Sequence, residues 1–437
     1  MLSHTILSAS WALPFIMLLL SIAIMPLAAG RFWHHHYPKI VALLAAGTAL
    51  GLWVHLPQQL PHELAHAILK EYVPFLCTAG SLYIISCGIR IRLPGSGRPY
   101  SNALTIAIGT ILASFIGTMG ASMLLIRPIL AANNWRRYRA HTIVCFIFLV
   151  SNIGGSLSPL GDPPLFMGFL HGVDFFWPLK NLWAPFAIAS VPLLTGYYLL
   201  DQRLYRQEKD ARPEDSPQWY IHGHHHMGLL AAVVLTILLS TFLPKMTVMT
   251  IAGVDLLLSQ VVRDLVLVTL SAVSYSTTSA YYREQNHFSW EPLQEVAILF
   301  AGLFVTLIPV QMLLHAGPNG PFAPMFTLLN GPHPAPLYFW FTGTLSAFLD
   351  NAPTYLLFFK MAGGNAAELM TTKIEILQAI SLASVFMGAM TYIGNAPNLA
   401  IKSIAESEKI QMPSFFGYLG WACLILLPLY TVAWLLH

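Results

Sequence analysis

Asp162 and Asp350 stand inside stretches that are otherwise apolar. A carboxylate in such a place is costly and normally marks an ion or proton path. Small, turn-forming and polar residues surround both. The segment 141–173 is interrupted by Gly154-Gly155-Ser156-Leu157-Ser158-Pro159-Leu160-Gly161-Asp162-Pro163-Pro164, and the segment 335–362 by Asp350-Asn351-Ala352-Pro353. Two more apolar segments are broken without an acid, 101–131 at Gly117-Thr118-Met119-Gly120-Ala121-Ser122 and 375–404 at Gly394-Asn395-Ala396-Pro397-Asn398. The chemistry these residues suit is cation binding. A carboxylate can hold a proton and a metal ion in turn, so Asp162 and Asp350 are the candidate sodium ligands. Thr118, Ser122, Asn152, Ser156 and Ser158 in the first half, and Asn351, Thr354, Asn395 and Asn398 in the second, supply neutral oxygens. Gly154, Gly155, Gly161 and Gly394 belong to the unwound backbone that would offer carbonyls. The competing reading is that each Asp or Asn caps a half-helix. Arg127 either snorkels to the interface or serves as counter-ion to Asp162.

Pro and Gly explain why these segments cannot be continuous helices, since Pro removes a backbone donor and Gly favours coil. Unwound backbone survives at membrane depth only where protein or a water-filled cavity satisfies it. The whole chain has the composition for that setting. Of 437 residues 56% are hydrophobic and 9% charged, with mean hydropathy +0.63, against about 25% charged in soluble domains. The net charge of +3 is small and scattered, so no basic stripe for nucleic acid is present. Cys77, Cys87, Cys145 and Cys423 lie in or beside apolar runs and read as free thiols.

The expected fold is an all-α polytopic membrane protein with two inverted repeats, each carrying a re-entrant hairpin and a broken transmembrane helix. About ten spans plus the hairpins fit the length. Ordinary spans fall at 11–29, 40–56, 73–89, 181–200, 227–243, 294–315 and 416–436. The segment 254–274 is kept provisionally, because Asp255, Arg263 and Asp264 make an interfacial helix the alternative. The expected domains are scaffold spans at 1–72, a first repeat at 73–200, a cytoplasmic arm with linking spans at 201–293, and a second repeat at 294–437. Gly161-Asp162-Pro163-Pro164 aligns with Gly394-Asn395-Ala396-Pro397, and the hairpin tips align with Ser122 opposite Ala352, slightly out of that register. Charge gives the orientation. With the N-terminus outside, only Lys70, Lys180, Lys245, Lys360 and Lys373 of the 22 Lys and Arg fall outside, and Arg263 is left in the membrane. That bias predicts inverted halves, the architecture of secondary transporters whose sites lie where half-helix ends meet at the midplane.

One motif points elsewhere. His62-Glu63-Leu64-Ala65-His66 is a formal H-E-x-x-H, which on a helix could hold zinc with Glu63 as general base. It lies in a loop after Pro57 and Pro61 without an identifiable third ligand, so an intramembrane metalloprotease is a remote alternative.

The runs 151–164, 348–354 and 393–398 resemble the signatures of the ion transporter superfamily, which includes NhaD-type sodium/proton antiporters, arsenite pumps and citrate or dicarboxylate transporters. The resemblance covers about residues 73–436. It implies a mobile transport domain of hairpins and broken spans, a dimerising scaffold, and an elevator-like movement. The group's carboxylate importers carry Ser-Asn-Thr at both hairpin tips, whereas this chain reads Gly120-Ala121-Ser122 and Asp350-Asn351-Ala352. The expectation is therefore a sodium/proton antiporter, with sodium- or proton-coupled citrate or dicarboxylate transport as the alternative. It is expected to be no enzyme and to need no cofactor besides the transported sodium ion and proton. It should be a homodimer in the lipid bilayer of a bacterial inner membrane, with a small-ion substrate and no nucleic-acid partner.

Overall fold

The computed structural model describes residues 7–92, 97–208, 220–244, 246–286, 288–316, 319–329, 331–332 and 334–436. Among them, nine helices are long and apolar enough to cross a membrane, and Thr118–Ala132, His224–Ser240 and Ile374–Met390 are shorter apolar helices. The chain is an all-α polytopic membrane protein. Lys209, Arg212 and Lys245, which the charge count places at the membrane faces, lie outside the described residues.

The two halves run through the same elements. In the first, Leu60–Ser86 leads to a hairpin of Pro99–Ile116 and Thr118–Ala132. The broken span follows as Ala140–Leu149, a tight turn at Ile153–Leu157, and Pro163–Leu170, before the long helix Trp177–Tyr205. In the second, Glu291–His315 precedes the hairpin Pro334–Phe348 and Asn351–Met361. Its broken span is Ile374–Phe386, a turn at Met387–Met390 and Ala396–Ser407, and Phe415–Leu435 closes the chain. Pro stands at the first turn of Pro99–Ile116, Pro163–Leu170 and Ala396–Ser407, where its missing N–H costs nothing. The first hairpin turns on Gly117 alone, at φ 82° and ψ 147°, a conformation only glycine adopts without strain.

Equivalent hydrogen bonds fix the register between the halves. The Ser158 hydroxyl donates to the Ser114 carbonyl, and the Thr391 hydroxyl donates to the Ala347 carbonyl, each across 44 residues. The N–H of Leu160 then donates to Ser158 Oγ at 3.1 Å and that of Ile393 to Thr391 Oγ1 at 3.3 Å. These pairs share the spacing of 233 residues that separates Asp162 from Asn395. At that spacing Gly117 is the counterpart of Asp350 and Thr118 of Asn351. The sequence alignment of Ser122 with Ala352 is thereby corrected: Ser122 sits inside the helix Thr118–Ala132, not at the turn. Packing repeats as well. Each break lies against the first arm of its own hairpin, and the second part of each broken span packs on the second arm of the other hairpin.

These elements form the interior. Nearly all residues of Ala140–Leu157 are buried, whereas few of those in the apolar stretch of Gly30–His55 are, which puts the broken span at the centre and the N-terminal helices at the lipid face. The doubtful segment 254–274 forms the helix Leu258–Thr277, packed on Val73–Ser86. Its buried Arg263 pairs with Asp264 at 2.8 Å. Asp255 lies ahead of the helix, in the short strand Val254–Leu257 that pairs antiparallel with Thr247–Ile251. A buried cluster ties the base of the first hairpin to Trp177–Tyr205. Asp201 takes Arg136 Nη1 at 3.1 Å, His141 Nε2 at 2.8 Å and Asn102 Nδ2 at 3.2 Å.

Candidate transport site

Asp162 is the N-cap of Pro163–Leu170, held there by extended backbone, and 2% of it is exposed. Its Oδ1 accepts from Thr118 Oγ1 at 2.8 Å and from Asn395 Nδ2 at 3.2 Å, and its Oδ2 accepts from Asn351 Nδ2 at 2.9 Å. Thr118 comes from the tip of the first hairpin, Asn351 from the tip of the second, and Asn395 from the second break. All three donors are neutral, so the charge of the carboxylate is solvated but not cancelled. Arg127 lines the adjoining, larger cavity, which shares Asp350 and Asn395 with the one that Asp162 lines.

A second row of amides holds the first. Asn395 Nδ2 also approaches the Ser151 carbonyl at 3.1 Å and Asn152 Oδ1 at 3.2 Å. Two hydrogens thus serve three acceptors, so at least two of these bonds share one hydrogen. Asn152 Nδ2 donates to Asn398 Oδ1 at 2.7 Å, and Asn398 Nδ2 donates to the carbonyls of Gly388 at 2.8 Å and Thr391 at 2.9 Å. Asn351 Oδ1 accepts from Ser346 Oγ at 2.6 Å, and Ser122 Oγ lies 2.7 Å from Ser151 Oγ. Five of the predicted polar residues, Thr118, Asn152, Asn351, Asn395 and Asn398, therefore form one network on Asp162.

Others serve local structure. Ser156 Oγ donates to the Ile153 carbonyl at 2.8 Å, and Thr354 Oγ1 to the Asp350 carbonyl at 3.0 Å. Asp350 caps Asn351–Met361, its Oδ1 accepting from the Ala352 N–H at 3.1 Å. The glycines act through close approach. A Cβ on Gly155 would stand 2.9 Å from that of Asp162, one on Gly394 2.6 Å from the Gly388 carbonyl oxygen, and one on Gly154 2.6 Å from that of Thr110. A Cβ on Gly161 would run into the Gly155 backbone. Ser114, Ser151, Ser346 and Thr391 bond to the breaks and hairpin tips around these residues, although none of them is among the candidates read from the sequence. Aligning the halves residue by residue would have found Thr391 opposite Ser158.

Asp162 and Asp350 line one cavity of about 110 Å³ together with Gly117, Thr118, Pro163, Asn395 and Ala396. Four half-helices begin at its wall, Thr118–Ala132, Pro163–Leu170, Asn351–Met361 and Ala396–Ser407. Helix N-termini carry positive partial charge, which suits an anion; here that charge acts mainly through the dipoles, since Pro163, Pro164, Pro353 and Pro397 have no N–H and the N–H groups of Thr118 and Ala352 are taken by the Gly161 carbonyl and Asp350 Oδ1. A larger cavity of about 490 Å³ shares Asp350 and Asn395 and extends past Arg127, Glu291 and Glu295. The H-E-x-x-H run forms the helix Leu60–His66. Its His62 Nδ1 donates to the Ala252 carbonyl at 3.1 Å, and among the described residues no group of three or more His, Cys, Asp or Glu is placed to hold a metal ion.

A multi-pass membrane chain whose paired breaks converge on a buried carboxylate has the build of a membrane transporter. The chain belongs to the family described as "Putative citrate transport" (CitMHS_2), matching it over residues 4–437. Among the curated proteins none matches it.

Proposed function

We propose that the protein is a secondary transporter of citrate or a similar di- or tricarboxylate, coupled to a cation or proton that associates with Asp162. The observation that carries this is the convergence of four half-helix N-termini on the cavity that Asp162 and Asp350 line. Those ends attract a carboxylate substrate. The ionised aspartates repel it, so the anion binds once sodium or a proton has neutralised them. That mutual requirement is coupling. The family description agrees with the anionic substrate. Rotation of the Asn351 and Asn395 amides would turn oxygens toward a cation at Asp162 without moving the backbone.

In this reading the hairpins and broken spans move together against the remaining spans, in an elevator-like exchange of sides, and the scaffold forms a homodimer. The second reading is sodium/proton antiport. It is favoured by the neutral shell of Asp162, which suits a small cation, and by hairpin tips lacking Ser-Asn-Thr. The two separate in proteoliposomes containing a trapped pH dye. Uptake of labelled citrate that needs a sodium or proton gradient supports the first. Proton movement driven by sodium without any organic acid, and no citrate uptake, replaces it with the second.

A further inference from the structure

Glu71 is a membrane-embedded acid with no part in the central site. It lies in the π-helical stretch Ala67–Tyr72 of the span Leu60–Ser86, and 2% of it is exposed. Such π-bulges recur at functional sites. Its Oε1 faces His171 Nε2 at 3.4 Å and His66 Nδ1 at 3.7 Å. His171 follows the half-helix Pro163–Leu170 that Asp162 caps, while His66 belongs to the same span as Glu71. Glu63 on that span and Lys360 from the second hairpin complete the charges around the group.

The chemistry of His171 limits what this pair can be. Its Nδ1 lies 2.9 Å from the Met167 carbonyl oxygen, which can only accept, so Nδ1 carries a hydrogen. A neutral imidazole has one hydrogen. Nε2 would then present a lone pair to the Glu71 carboxylate, two acceptors facing each other in a buried place. Glu71 Oε1 and His171 Nε2 are both buried without a hydrogen-bond partner, facing each other at 3.4 Å. The contact is attractive only with one more proton, either on Nε2 as imidazolium against carboxylate or on Glu71 as a carboxyl donating to Nε2.

We infer that Glu71 and His171 form a second proton-binding site, holding a single proton between a scaffold span and the half-helix that carries Asp162. With the proton present the two elements are joined. Without it the lone pair and the carboxylate repel, and the half-helix is released from the span. The site thereby makes movement of the Asp162 element against the scaffold depend on protonation at a point distinct from the transport site. The effect on transport rests on the transporter reading, whereas the shared proton does not.

The test is infrared difference spectroscopy of the full-length protein in lipid nanodiscs, titrated with pH, on wild type, Glu71→Gln, His171→Gln and the double variant. One titrating carboxyl or imidazolium signal should be lost in each single variant, and the double variant should lose no more than either single. Two separate signals lost one by one, or none lost at all, overturns the inference. His66→Gln, which removes the more distant imidazole, should retain the signal, and its loss there assigns the proton to His66 instead. In proteoliposomes, citrate uptake driven by a proton gradient should fall at least tenfold in Glu71→Gln. If wild type takes up no citrate, the citrate reading fails while the spectroscopic result still decides the proton site.

Discussion

Asn395 and Asp162 hold the same position in the two halves of the chain and are bonded to each other, Asn395 Nδ2 donating to Asp162 Oδ1 at 3.2 Å. The bond therefore spans the meeting point of the two breaks. One half contributes the charge there and the other contributes a neutral amide.

Asp162→Asn keeps the shape of the side chain and removes its charge. Gradient-driven uptake should drop by about two orders of magnitude or more, with expression and folding retained. Thr118→Val and Asn351→Ala each remove one hydrogen bond that stabilises the ionised Asp162 carboxylate, a contribution of about 1.5–3 kcal/mol, so a proton there should bind roughly tenfold to a hundredfold more tightly and the pH dependence of uptake should move to higher pH. Transport assays over a series of sodium concentrations and pH values measure both. Wild-type behaviour in Asp162→Asn removes the residue from the mechanism.

Asp350 both caps a half-helix and lines the cavity proposed to hold the substrate, and the two roles separate by substitution. Asp350→Asn preserves a capping oxygen and should leave thermal stability near wild type while changing ion dependence. Asp350→Ala loses the cap too, at about 1 kcal/mol of stability. If Asn and Ala variants both keep wild-type transport, Asp350 is a cap and nothing more.

The register between the halves makes a stability prediction. Ser158→Ala and Thr391→Val remove equivalent buried donors, each leaving a carbonyl, that of Ser114 or Ala347, without its partner. Each should cost about 1–3 kcal/mol, and the two costs should be similar in detergent unfolding curves. A cost confined to one half contradicts the equivalence.

Asp201 is the hub of the buried cluster under the first hairpin, pairing with Arg136 while also taking His141. Asp201→Leu leaves the buried Arg136 guanidinium with only the longer contact to Glu208 at 3.7 Å, which should destabilise by about 3–5 kcal/mol. Replacing both, Asp201→Leu with Arg136→Met, should recover most of that loss. Thermal unfolding of the purified single and double variants measures it.

Much of this was readable from the residues. Gly and Pro in apolar segments located both breaks and both hairpins, because backbone without helical bonds at that depth needs a reason to exist. Asp162 was legible for the same reason, being a charge that cannot be left in lipid. The shell around it was only partly so: Thr354 and Ser156 have the composition of ligands but bond their own turns, and side-chain type alone does not distinguish the two uses. The hairpin register was misplaced because Ser122 resembles a turn residue, whereas the turn is made by Gly117 through its positive φ. Glu71 was passed over because its span, read from the apolar run, opens at residue 73, whereas the helix reaches back to Leu60. Only the fold brings His171 to it across the chain.

Uptake of labelled citrate into proteoliposomes, under an imposed sodium or proton gradient, tests the proposed coupling most directly. The expected result is saturable uptake that collapses when the gradient is removed and when Asp162 is replaced by Asn. Uptake indifferent to both the gradient and that substitution, or sodium-driven proton movement with citrate ignored, contradicts it.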